Sequence, residues 1–359
     1  MQPEVVAAMA EAAIAFVRIQ ELQERAGEVI ARQTGANAGY VTAGAGAGLV
    51  LGVGACLAGG DIERLRALPD TSTFPRRRVI LQSRHRSNYL RLFGLSGGLL
   101  ELVEGEEGLA TTLARGDVAA VGFVHEQADF GVSFERVVEM AQSYGVPIIV
   151  DAAAALPPPE NLRRYTAGGA DLVAFSGGKA LQGPQATGIL AGRTDLIRAV
   201  AYLQQGTDLR PAPFPGHGVG RPMKVGKEEI VGLLTALDLY VSRDHAAERR
   251  RWEGDMRRIA AALADLPGVR AEYTFPLPNR RPLPCVLLHL DAFRARSAGE
   301  LHRALEDGDP SVVLGDELVD RGTLLVYPSN LRPGEAEIVI ERIREVLSPL
   351  ASPRRAGAG

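Results

Sequence analysis

The chain has 359 residues, enough for a large core and a second, smaller lobe, and its 40 Lys and Arg against 43 Asp and Glu leave a net charge of −3. That balance gives no footing for nucleic-acid binding, and the two cysteines, Cys56 and Cys285, each lie in an apolar run as buried thiols do. No His-Glu-x-x-His or paired Cys-x-x-Cys spacing occurs, so no metal site is expected.

Residues 3–33 space apolar positions three and four apart and predict a helix. The start, with Glu4 and Glu11, lacks the basic-then-apolar order of a signal segment, so a cytoplasmic protein is expected. The run from Ala43 to Gly60 has the length of a membrane span. Its many glycines and lack of flanking basic residues instead predict a buried helix, with no membrane association. Strands are predicted at Arg78–Gln82, Leu99–Val103, Val118–Val124, Pro147–Val150, Leu172–Phe175 and Gly188–Ala191. Helices between them imply an α/β fold with a mostly parallel, doubly wound sheet. From about Asp244 the texture changes to helix 248–266, strand 285–290, helix 298–306, strand 322–327 and helix 334–347, with Pro333 fitting the last helix's first turn. The expected division is an N-terminal helical segment 1–38, a large domain 39–243, a small α+β C-terminal domain 244–350 and a flexible tail 351–359.

Two stretches carry chemistry. Val146-Pro-Ile-Ile-Val-Asp delivers the Asp151 carboxylate at a strand end, and Phe175-Ser-Gly-Gly-Lys delivers the Lys179 amine after another, its glycines allowing a tight turn. An acid and an amine at neighbouring strand ends face the crevice where open α/β sheets bind ligands. This layout suits pyridoxal 5'-phosphate (PLP): the lysine forms a Schiff base with its aldehyde and the carboxylate keeps its ring nitrogen protonated. The alanines after Asp151, Ala153 among them, leave room for a flat ring. The turn Val41-Thr-Ala-Gly-Ala before a helix can hold an anion on its amides, with Thr42, Gly44 and Ala45 as candidates. It misses the Gly-x-Gly-x-x-Gly spacing of a dinucleotide site.

Asp151-Ala-Ala-Ala-Ala-Leu-Pro-Pro-Pro-Glu-Asn-Leu-Arg-Arg-Tyr, followed by Gly169-Ala-Asp-Leu-Val-Ala-Phe-Ser-Gly-Gly-Lys, resembles the selenocysteine-synthase-like (SelA-like) family of fold-type I PLP-dependent enzymes. Within it, the chain is similar to the shorter members typified by D-glucosaminate-6-phosphate ammonia-lyase. The resemblance, dense over residues 39–232, implies that the turn at Thr42 holds the PLP phosphate and that Ser176 adds a contact. The loop after the strand ending at Gln82 commonly supplies the group stacked on the ring, which makes His85 the candidate, while Arg84 and Arg86 could meet a substrate anion. His125, at the end of another strand, could reach the phenolic oxygen of PLP or act as acid and base. Arg221, Lys224 and Lys227 recur every third residue. They resemble a basic segment that approaches the site from the partner subunit, with His217 nearby, and this implies a homodimer or higher homo-oligomer.

The implied activity is α,β-elimination on a small amino acid or amino-sugar acid. Racemase or epimerase action is the alternative, then aminotransferase or aldolase; a PLP-fold binding protein without turnover is a different class. Two departures from the resemblance stand out. The longer tRNA-gripping region of selenocysteine synthases has no counterpart, so seryl-tRNA is not the expected substrate. Asp309-Pro-Ser-Val-Val also lacks the arginine that relatives place after this strand, which leaves the substrate-carboxylate contact open.

Overall fold

The structure is a computed structural model and describes residues 1–347 apart from 210, 214, 280 and 291–296. The expected tail, 351–359, and the end of the small domain, 348–350, lie outside the described residues. The chain divides into two compact units, Met1–Arg243 and a second from Asp244 onward.

The first unit runs α1 (Pro3–Ile14), α2 (Ile19–Thr34), β1 (Ala38–Thr42), α3 (Gly44–Ala58), α4 (Ile62–Ala67), β2 (Arg78–Gln82) and β3 (Leu99–Val103). It continues with α5 (Gly105–Leu113), β4 (Val118–Val124), α6 (Phe134–Ser143), β5 (Ile148–Asp151), α7 (Asn161–Ala167), β6 (Leu172–Ser176), β7 (Gly188–Gly192), α8 (Thr194–Gln205) and α9 (Lys227–Ser242). The helix expected over 3–33 is two helices. α1 packs along α9 while α2 lies on β1, so the backbone turns extended at Ala15 and leaves Phe16 fully exposed.

Seven strands pair in the order β1-β7-β6-β5-β4-β2-β3. β2 to β6 are parallel, and β7 is antiparallel to both β6 and β1. Successive residues point to opposite faces. Ile148, Val150, Val173 and Phe175 therefore enter one core with α2, α6 and α9, while Ile149, Leu172, Ala174 and Leu190 enter the other with α3 and α8. The glycines of α3 give the reason for its apolar, all-round burial. A β-carbon on Gly52 would stand 2.6 Å from Ile149 Cδ1, so glycine lets this helix lie directly on the sheet. Among the described residues no helix is long and apolar enough to cross a membrane.

The second unit comprises α10 (His245–Leu263), β8 (Arg270–Thr274), β9 (Cys285–His289), α11 (Ala298–Glu306), β10 (Thr323–Val326) and α12 (Glu335–Leu347). Its antiparallel sheet β10-β9-β8 packs on a core including Met256, Leu288, Leu301, Leu324 and Ile343. Pro333 does not enter the last helix. Gly334, at φ +90°, keeps both residues outside, and the Glu335 carboxylate accepts the Arg332 N–H at 2.8 Å.

Candidate active site

β1 runs in the direction of β6 because each is antiparallel to β7 between them, so β1, β4, β5 and β6 end on one edge of the sheet. Register aligns the candidates there. Val124 pairs with Asp151 and Asp151 with Ala174, while Thr42 and Ser176 both pair with Gly188. By the alternation of side chains, Thr42, Asp151 and Ser176 face the α3 side.

Asp151 is buried, and its Oδ1 accepts the Ala153 N–H at 3.1 Å. Burial raises its pKa from the ordinary value; that hydrogen bond and the charge of Lys179 work in the opposite direction, and Glu126 adds to the rise. A carboxylate in this setting calls for a cationic partner.

Lys179 is exposed rather than set in an apolar pocket, and among the described residues its ammonium has no hydrogen bond or ion pair. The glycines before it serve space rather than unusual dihedrals. Neither has positive φ, but a β-carbon on Gly178 would lie 2.7 Å from Gln185 Cα. Gly177 N–H donates to Thr187 O at 2.8 Å, and Gly183 N–H to Gly177 O at 2.8 Å. These bonds tie the lysine loop to the start of β7. The Ser176 hydroxyl is half-buried and has no hydrogen-bond partner among the described residues.

At the start of α3 no side chain caps the first amides, which have no helical acceptors of their own. Thr42 does not face that opening. It is wholly buried, and its Oγ1 donates to Gly44 O at 2.9 Å, bracing the turn from below. Ala153 is half-buried beside Asp151.

His85 takes a different place from the one expected. It is wholly buried, its Nδ1 accepts the Val124 N–H at 3.1 Å, and Nε2 lies 3.1 Å from Phe130 O. Its ring packs edge-on against Phe123 and is nowhere exposed, unlike a ring available to stack on a ligand. Burial lowers its pKa, in keeping with a neutral ring that joins two backbone segments. Arg84 and Arg86 are exposed on the loop beside it, at the same sheet edge. His125 is half-buried one residue beyond Val124, with Nδ1 2.6 Å from the Tyr165 hydroxyl. Tyr165 and Gly188 are the residues that motif reading did not single out. Tyr165 lay within the quoted motif, but its contact with His125 spans 40 positions.

The basic triplet is brought together only in part. Arg221 pairs with Asp208, and Lys227 donates to Glu228 at 2.7 Å and to the Ala13 carbonyl at 2.8 Å, while Lys224 is exposed. Arg221 and Lys224 line a cavity of about 1040 Å³ with Arg18, Gln204, Gln205 and Glu229, and neither Asp151 nor Lys179 borders it. His217 is exposed in the loop leading there.

The aminotransferase class-V family profile matches residues 105–290. A 5'-C-glycyluridine monooxygenase-decarboxylase from a Streptomyces species is 33% identical over 357 residues, covering 96% of this chain and 85% of its own length. The chain belongs to the aminotransferase class-V family. This class-V chain is also 30% identical over 357 residues to the D-glucosaminate-6-phosphate ammonia lyase of Salmonella typhimurium, across 96% of the chain and 90% of the lyase. A solved D-glucosaminate-6-phosphate ammonia-lyase superposes with TM-score 0.81 at 29% identity, over 97% of this chain and 91% of that one. An L-seryl-tRNA(Sec) selenium transferase of Solidesulfovibrio magneticus is 27% identical over 64% of this chain and half of its own length, in line with the SelA-like resemblance. The class-V chain is thus a fold-type I, PLP-dependent enzyme.

The residues present fit that cofactor. Uncapped amides at the start of α3 suit a phosphate, the buried Asp151 carboxylate suits a protonated ring nitrogen, and the exposed Lys179 amine suits an aldehyde.

Proposed function

We propose that this chain is a PLP-dependent lyase that eliminates across the α- and β-carbons of an amino acid carrying a sugar-like side chain. The observation that carries the reading is the presence at one sheet edge of a buried Asp151 and an exposed Lys179 whose charge acts on it and whose ammonium has no hydrogen bond or ion pair among the described residues. The class of side chain follows from the two relatives matched over most of their length, named for a glucosaminate phosphate and for a glycyl-substituted uridine.

Bound PLP supplies an aldehyde for the substrate amine and a ring that accepts electrons from the α-carbon. The α3 amides and the Ser176 hydroxyl hold the phosphate, and Thr42 keeps their turn in shape. Asp151 holds a proton at the ring nitrogen. Lys179 Nζ removes the α-proton, the bond from the β-carbon to its leaving group breaks, and His125 is placed to donate to an anionic oxygen. The protein works in the cytoplasm as a homodimer or higher oligomer. The Arg221–Lys227 segment of one subunit binds the anionic group of substrate in its partner's site, a reading supported by the separation of that segment's cavity from Asp151 and Lys179.

The test is to load the full chain with PLP, reduce it with borohydride and map the modified peptide, which should contain Lys179. The reduced protein should be inactive, and the unreduced protein should release ammonia and a keto acid from one member of a panel of D- and L-amino acids and phosphorylated amino-sugar acids. α-Deuterium exchange without ammonia marks a racemase, conversion of PLP to its amine form marks a transaminase, and absence of PLP uptake removes the enzyme reading. The Streptomyces relative gives a second reading, oxygenation with loss of a carboxyl group, and oxygen consumption with CO₂ release would select it.

A further inference from the structure

Tyr165, on α7, is wholly buried and packs edge-on against Phe134 at 4.9 Å between ring centroids, with Phe123 at 6.2 Å. Its hydroxyl lies 2.6 Å from His125 Nδ1, the two rings meeting at 87°. Among the described residues no other hydrogen bond uses this hydroxyl. A phenol closed off from water by aromatic neighbours loses its hydration and needs an acceptor for its proton. Nδ1 is the atom within hydrogen-bond distance of it.

The consequence lies on the other side of the imidazole. A ring whose Nδ1 accepts carries its proton on Nε2, and protonating both nitrogens would turn Nδ1 into a donor and leave the buried phenol's proton without its acceptor, with the Arg164 guanidinium over the phenol ring at 5.4 Å and the charges of Glu135 and Asp129 also acting on it. Burial also pushes the phenol up to about 12, so it stays a donor through the physiological range.

We propose that Tyr165 is a positioning residue that holds His125 neutral, with its proton on Nε2, so that His125 serves the ligand as a hydrogen-bond donor and not as a base. This rests on the PLP reading for the identity of the acceptor, the phenolic oxygen of the cofactor. Its local half, the tautomer, stands without it. Register supports the placement, because His125 follows Val124, the residue paired with Asp151.

The full chain, labelled with ¹⁵N at histidine, is examined by NMR without and with PLP, His125 being assigned from the signals missing in His125→Gln. An unprotonated Nδ1 and a protonated Nε2 are expected in both states. Tyr165→Phe keeps the ring packing and removes the donor, and should change the tautomer balance, shift the absorbance of lysine-bound PLP and lower kcat about tenfold, the equivalent of ~1.4 kcal/mol. His125→Gln should abolish that response, so that adding Tyr165→Phe to it costs nothing more. A protonated Nδ1 in the wild type overturns the proposal, as does a Tyr165→Phe protein with unchanged tautomer and absorbance. Failure to bind PLP with the expected tautomer intact would instead count against the enzyme reading alone. If Tyr165→Phe fails to fold, the wild-type tautomer decides.

Discussion

Gly188 stands against the first turn of α3: a β-carbon built on it would lie 2.5 Å from the backbone nitrogen of Ala45, one of the amides proposed to hold phosphate. Gly188 is also the residue opposite both Thr42 and Ser176. Gly188→Ala should therefore push the anion cradle away from Ser176, at the ~1–3 kcal/mol typical of forced overpacking. The expected result is a folded protein whose PLP affinity falls at least about tenfold, read by absorbance titration. Wild-type affinity would show that the turn does not hold the phosphate.

Asp151 predicts opposite effects on stability and turnover. Burial raises its folded pKa, so between the unfolded and folded values the native state holds the extra proton and stability of the PLP-free protein falls as pH rises. Above both values the cost persists in full. Asp151→Asn removes it, so this PLP-free variant should melt above wild type at neutral pH, with the gap closing in acid. Its turnover should fall by orders of magnitude, since each ~1.4 kcal/mol of lost transition-state stabilisation is tenfold. An unchanged melting temperature at neutral pH would show that the ionised carboxylate is not strained.

His85 gives a contrasting pH signature. Burial lowers its folded pKa below 6.5, so the unfolded chain takes up the proton first, and stability present above 6.5 is lost as pH falls below it. His85→Gln should lower the melting temperature at pH 7, because two buried backbone contacts are disturbed, yet flatten the decline toward pH 5. PLP affinity should remain near wild type. A folded His85→Gln protein that no longer binds PLP would restore the stacking role.

The fold was legible because each buried strand is a short apolar run between glycines and charges, and the Asp151 and Lys179 landmarks sit at the ends of two such runs. β1 and β8 were not: Ala38-Gly-Tyr-Val-Thr has only two large apolar residues, and β8 is half-exposed with charges at Arg270 and Glu272. The break at Ala15 was hidden because the apolar residues on both sides keep helical spacing; only the different partners of α1 and α2 separate them. His85 misled for a related reason. Sequence places it on a loop after β2, but its ring turns inward to bond Val124 of the neighbouring strand, a contact 39 positions away.

Shared sites make the last prediction. Arg221 pairs with Asp208 on a cavity that neither Asp151 nor Lys179 borders, and its proposed action on a substrate anion falls in another subunit's site. Closed two-fold symmetry would bring two such segments to two sites at once. Arg221→Ala and Lys179→Ala should each be inactive as pure proteins, yet a mixture that exchanges subunits should regain activity, because one hybrid site receives both intact residues. A tag on one chain verifies the exchange, and random pairing in a dimer places half of the molecules in the hybrid form, each with one complete site. Activity should therefore approach roughly a quarter of the wild-type value per site. If tagged hybrids stay as inactive as either parent while Arg221→Ala alone is well folded, Arg221 serves its own chain, and the basic segment does not cross the subunit boundary.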